Sequence, residues 1–214
     1  MIARLVFLLT LSFVSASSTF AQSYSEKLMV QQSGYWESFR LCGNDGSCVW
    51  RATTTATNTD DLLMLEWSES ENLDLPQVQM LSRISYESMA TWDTNIDHVA
   101  TQLRVDLNPI RTTTVPRYLD RDSRVLIALV PQEIINRSFV RQLKQGNMLR
   151  YRTDVNGFKH TRLFSLRGAA KAISRAKEMS KAAYKLRNDN YDPYFDDPSL
   201  GGGSRSTRPG EASF

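Results

Sequence analysis

Residues 35–57 read YWESFRLCGNDGSCVWRATTTAT, and the alternation in this stretch decides the fold class. Two runs rich in aromatic and β-branched residues flank Gly43-Asn44-Asp45-Gly46-Ser47, a segment of turn-forming residues. In the first run Tyr35, Glu37, Phe39 and Leu41 point one way, and Trp36, Ser38 and Arg40 the other. A period of two with one mostly apolar face predicts a strand. The stretch therefore reads as a β-hairpin, with Tyr35–Cys42 against Cys48–Thr57.

The pattern extends outward in both directions. Lys27–Gln32, Leu62–Trp67, Val78–Ser85 and Val99–Leu107 read as further strands, and polar loops at 58–61 and 68–76 separate some of them. A segment containing Trp92 lies between the last two, and Asn108-Pro109 ends the second. Val125–Val130 (VLIALV) is the most apolar run after the first twenty residues and predicts a central strand. The pattern then changes to a helical one near residues 132–145, where Ile135, Phe139 and Leu143 recur at spacing four before Gly146. Met148–Val155 and Phe158–Leu166 flank Asn156-Gly157, a strong two-residue hairpin signal. Residues 168–187 form an amphipathic helix, with Ala169, Ala172, Ile173, Ala176, Met179, Ala183 and Leu186 on one stripe. The expected architecture is mainly β: an antiparallel β-sandwich with a short helix and a C-terminal amphipathic helix, in one domain spanning 22–187. Residues 188–214 are too polar to offset chain entropy and read as a disordered tail.

The N-terminus reads as an export signal. Arg4 precedes the apolar run Leu5–Val14, and Thr19-Phe20-Ala21 places small residues before a cut at Gln22. Residues 1–21 are thus expected to be removed, and the run is shorter than the roughly 20 residues that a membrane span needs. The mature chain is expected in the periplasm, secreted or surface-associated, and not spanning the membrane. In an exported chain the close pair Cys42 and Cys48 reads as a disulfide. A redox pair would favour a two-residue spacing at a helix start.

With these features in order, the chain resembles the invasion-associated locus B family of exported proteobacterial proteins. The resemblance rests on the aromatic strand entering Cys42, the short turn to Cys48, and the Leu143-x-x-Gly146 step. It rests also on Phe164, Leu166, Gly168 and Ala172, which match an F-x-L-x-G-x-x-x-A step into a terminal helix. It extends to about residue 187. The chain departs from the family in lacking Cys between Arg124 and Val130, and in carrying Ala169 where an aromatic is usual. The resemblance implies a β-sandwich-like envelope protein, linked in pathogens to host-cell invasion and without catalytic residues.

The residues themselves offer little chemistry. His98 and His160 have no nucleophile motif around them, and Gly-x-Ser-x-Gly, Walker and dinucleotide signatures are missing. No cofactor, metal or nucleic-acid partner is expected. The acidic groups at Asp60-Asp61 and at Glu69, Glu71 and Asp74 read as solvated loops. Charge placement is more informative. Residues 137–187 carry 14 Lys and Arg against two acidic residues, while 22–136 carry 9 against 16. Arg137, Arg141 and Lys144 recur at helical spacing, and Arg150 and Arg152 share a strand face away from Tyr151. Lys171, Arg175, Lys181 and Lys185 make a stripe on the last helix. Such a surface either complements the acidic half or receives an anionic partner, such as an envelope polymer, a lipid or an acidic protein. The function expected is a non-enzymatic binding protein of the bacterial envelope. An accessory subunit of an envelope or secretion complex would bury its surface on assembly. A hydrolase or carbohydrate-active enzyme would need His98 or paired carboxylates to converge in a cleft.

Overall fold

Nine of the ten antiparallel strands fall on segments read as strands from the sequence, and all ten lie in one sheet. The computed structural model describes residues 24–71, 73–87, 96–155 and 157–189. The expected signal peptide, the Trp92 segment, Asn156 and the tail from residue 190 lie outside them. The strands are β1 (Tyr24–Ser33), β2 (Trp36–Gly43), β3 (Cys48–Thr55), β4 (Leu62–Ser68) and β5 (Gln77–Arg83). They continue with β6 (Ile96–Val105), β7 (Arg111–Asp120), β8 (Val125–Val130), β9 (Met148–Val155) and β10 (Phe158–Ser165). Helix α1 (Arg137–Gln145) joins β8 to β9, and α2 (Ala169–Asp189) follows β10. The sheet order is β1-β2-β3-β4-β5-β8-β7-β6-β9-β10. Its two non-local steps are β5 beside β8 and β6 beside β9.

The sheet folds over on itself in a sandwich-like way. Side chains from β2–β5 (Trp36, Trp50, Leu65, Trp67, Met80) and from β6–β9 (Leu103, Val115, Leu149, Tyr151) meet in a single core. The last strand closes one end. Leu163 and Thr161 on β10 hydrogen-bond to Thr57 and Asn58, and the Trp36 indole donates to the Ser165 carbonyl at 2.8 Å. Just beyond, the backbone around Arg167-Gly168 presses against the β1–β2 turn, where the Tyr35 N–H donates to the Arg167 carbonyl. Phe164, Leu166 and Ala172 are buried around this junction, so the F-x-L-x-G-x-x-x-A step marks where the sheet meets α2.

The structure departs from the expected elements in several places, and it settles what alternation leaves open. The main core takes the Trp36 and Ser38 face of β2; Phe39 and Leu41 form only a small cluster with Val49 on the opposite side. A strand was not expected at 111–120, yet β7 is there. Pro116 hides it in the sequence. Pairing of β7 with β8 begins only at Arg117, so at Pro116 the strand has a single neighbour, β6, and the missing N–H breaks no ladder on the other side. Helix α1 starts at Arg137 rather than near 132. Residues 131–135 are turns, and the Asn136 side chain caps the helix by accepting from the Phe139 N–H at 2.9 Å.

Helix α2 runs to Asp189, so Asn188 and Asp189 belong to it and not to the tail. Ala169, Ala172, Ile173 and Ala176 are buried on β1–β4 as the stripe predicts. The stripe ends at Ser180, whose hydroxyl donates to the Ser68 carbonyl at 2.7 Å. Leu186, expected inward, is exposed.

Candidate anion-binding site

The expected basic surface divides into three parts with different roles. The first is structural. Arg175 does not stand in an open stripe. Its guanidinium donates to the Ser38 carbonyl and hydroxyl (3.2 and 3.0 Å) and to the Met29 carbonyl (2.8 Å), and it lies over the Trp50 ring. Met29 has φ of 53°, in a β1 bulge. Arg175 thus spends its donors satisfying that bulge and locking α2 to the first two strands. Arg162, on the β9–β10 hairpin, also turns inward to Asp61 and to the Thr153 hydroxyl at 2.8 Å. Nearby, burial pushes the Tyr151 phenol up to about 12, against the pull of Arg162 and Arg117.

The second part gathers around an acid. Lys181, Arg137 and Lys177 stand 2.7, 3.0 and 3.4 Å from the Asp74 carboxylate. Hydrogen bonds from Lys181 and Arg137 hold that carboxyl well below the usual range. Here the basic segment complements the acidic half, and both helices are pinned to the β4–β5 loop. Lys171, Lys185 and Arg141 are exposed. Lys171 and Lys185 lie about 21 Å apart along α2, at 1.5 Å per residue, and so do not converge.

The third part converges. Arg150 and Arg152 are exposed on the outer face of β9, with Tyr151 between them buried in the core. Across the β6–β9 pairing, Arg104 stands directly opposite Arg150, and Gln102 opposite Arg152. On the other side Thr161 of β10 pairs with Arg152. Gln102, Arg104, Ile110, Arg150, Arg152 and Thr161 line a shallow cavity of about 80 Å³. It contains three guanidinium groups and no carboxylate. None of the three arginines is ion-paired among the described residues. Arg150 donates to the Asp106 carbonyl at 3.1 Å, and Arg152 reaches the Thr161 hydroxyl at 3.4 Å. The Arg104 Nε is buried and has no partner.

This arrangement costs stability. Like charges directly opposite on neighbouring strands repel, and a buried unmade hydrogen bond adds to the penalty. An oxyanion bridging the three arginines would relieve both, because the planar guanidinium fork matches phosphate and carboxylate geometry.

Arg104 was not among the candidates. The alternation in Thr101-Gln102-Leu103-Arg104-Val105 does place Gln102 and Arg104 on the polar face. Its meeting with Arg150 depends on the non-local β6–β9 pairing, which local pattern does not reveal.

Other candidate groups are separated or engaged. Cys42 and Cys48 are disulfide-bonded across the β2–β3 hairpin, as expected. His98 and His160 are exposed on β6 and β10, and Asp97 beside His98 pairs with Arg117. Glu69 receives both donors of Arg40 at 2.7 Å. Among the described residues no group of three or more His, Cys, Asp or Glu could hold a metal ion. No helix among them is long and apolar enough to cross a membrane. No family model, curated protein or solved structure matches the chain.

Proposed function

We propose that this chain is an exported, non-enzymatic protein of the bacterial envelope that binds an anionic partner, akin to the invasion-associated locus B proteins. The observation that carries the binding is the Arg104–Arg150–Arg152 cluster on an open sheet face without a counter-ion. Export rests on the N-terminal signal pattern and agrees with the Cys42–Cys48 disulfide, since such bonds persist in oxidising compartments. The family reading rests on the matched steps at Leu143–Gly146 and Phe164–Ala172.

Co-sedimentation with isolated outer-membrane vesicles and with peptidoglycan, at low and at physiological salt, tests the binding. The reading expects retention that weakens with salt and is lost in an Arg150→Thr, Arg152→Gln double variant. Retention indifferent to both salt and variant would sink it. N-terminal sequencing of protein from the periplasmic fraction tests export, with Gln22 as the expected first residue.

A second reading, an accessory subunit of an envelope or secretion complex, draws on edge strand β1. Leu28, Met29 and Val30 are exposed there, at the open side of the sheet. A protein partner captured by cross-linking through β1 would favour it.

A further inference from the structure

We infer that the anionic partner is a lipid surface, and that the protein docks on it through the β6–β7 turn with a lipid phosphate in the arginine cavity. The inference rests on the anion-binding reading above and narrows it to one source. The turn, residues 106–110, carries two large apolar side chains at the edge of the cationic site. Leu107 is 87% exposed and Ile110 is 52% exposed. Ile110 also forms one wall of the cavity that Arg104 and Arg150 line.

The turn is built to hold that display. Asp106 sits at φ of 48°, and its carboxylate accepts the N–H groups of Asn147 and Met148, each at 2.9 Å. The Asn108 N–H and side-chain amide both donate to the Val105 carbonyl, at 2.9 and 3.0 Å. The one carboxylate of the turn is thereby directed back to the start of β9, and Leu107 projects from a fixed tip.

Soluble polyanions and peptidoglycan give an exposed Leu and Ile nothing to bury against. An anionic membrane offers phosphates at headgroup level and acyl chains roughly 5–10 Å deeper. Arginines behind an apolar tip match that layering. Each basic group near such a surface favours binding about fivefold, and the attraction falls off within a Debye length, so the association should be reversible and salt-sensitive.

The test compares flotation of the purified protein with vesicles of phosphatidylcholine alone and vesicles containing phosphatidylglycerol, beside retention on immobilised dextran sulfate. The variants are Leu107→Ser, Ile110→Ser and Arg150→Thr, Arg152→Gln. All four side chains are at the surface, and circular dichroism with urea unfolding checks that each variant is folded. Binding to the phosphatidylglycerol vesicles only is expected, reduced about 25-fold by the arginine variant. The Leu107, Ile110 variant should lose about fivefold on vesicles and nothing on dextran sulfate. Retention on dextran sulfate through the arginines without vesicle binding, or vesicle binding indifferent to Leu107 and Ile110, overturns the lipid inference and leaves the anion-binding reading standing. Binding to neither overturns both.

Discussion

Gly168 stands backbone to backbone against Ser33: a Cβ on Gly168 would lie 1.7 Å from the Ser33 carbonyl oxygen. Its φ of 98° is also one that other residues rarely adopt. The contact seals the β1–β2 turn to the start of α2, so it cannot give way without opening the core. Gly168→Ala is therefore expected to cost more than about 3 kcal/mol, through strain and steric overlap together. Gly157→Ala is the control. Its φ of 81° is similarly unusual, but nothing lies within 4 Å of an added Cβ, so only about 1 kcal/mol should be lost. Urea unfolding of both variants checks the contrast, and equal losses would refute the steric account.

The Asp61–Arg162 pair is nearly buried, with side chains 12% and 16% exposed. It joins the β3–β4 loop to β10 beside Tyr151. Removing one partner leaves the other charge stranded. Asp61→Asn should cost about 3 kcal/mol, and a double-mutant cycle with Arg162→Met should show strong coupling between the sites. Additive losses would mean that the two residues act independently.

The Asp74 carboxyl is held down by Lys181, Arg137 and Lys177. A depressed folded pKa adds stability at pH values above the unfolded one, about 3.9. That stability is lost as pH falls below it toward the folded value. The urea midpoint of the wild type should therefore drop more steeply below about pH 4 than that of Asp74→Asn. High salt should narrow the gap, because the group is exposed and screened. Parallel profiles at low salt would show that the latch contributes nothing.

Closing the short loop between Cys42 and Cys48 is worth about 2 kcal/mol by the chain-entropy relation. Reductant should lower the urea midpoint of the wild type accordingly and leave that of a Cys42→Ser, Cys48→Ser variant unchanged. Free thiols in protein isolated from the envelope would contradict both the disulfide's structural role and the proposed export to an oxidising compartment.

Local patterns revealed most strands, the terminal helix and the disulfide, because alternation, turn residues and a buried Ala/Ile stripe are short-range signals. They do not tell which face of β2 enters the main core. Phe39 and Leu41 look more apolar than Ser38 and Arg40, but Ser38 is buried because Arg175, far along the chain, donates to it. The candidate site was half legible for the same reason. Arg150 and Arg152 share a face by alternation alone, whereas Arg104 joins them only through the β6–β9 register. The charge imbalance was real in the sequence, yet pairs such as Lys181–Asp74 and Arg162–Asp61 absorb part of it within the fold.

That unequal distribution leads to a prediction in which stability and binding move in opposite directions. Arg104 and Arg150 face each other without a counter-ion, so relieving the repulsion should help the fold. Arg150→Thr gives up one bond to the Asp106 carbonyl but places a β-branched residue opposite Arg104. Without added anion, the variant should unfold at the same denaturant concentration as the wild type or a higher one, with a gain of up to about 0.5 kcal/mol. Added phosphate should reverse the order, because a ligand that binds only the folded state stabilises it in proportion to its occupancy. The wild type should gain with phosphate concentration and the variant much less. Chloride at matched ionic strength separates site binding from general screening. A wild type that responds to phosphate no more than to chloride would leave the three arginines as ordinary surface charges. A variant that is destabilised without anion would give Arg150 a purely structural role.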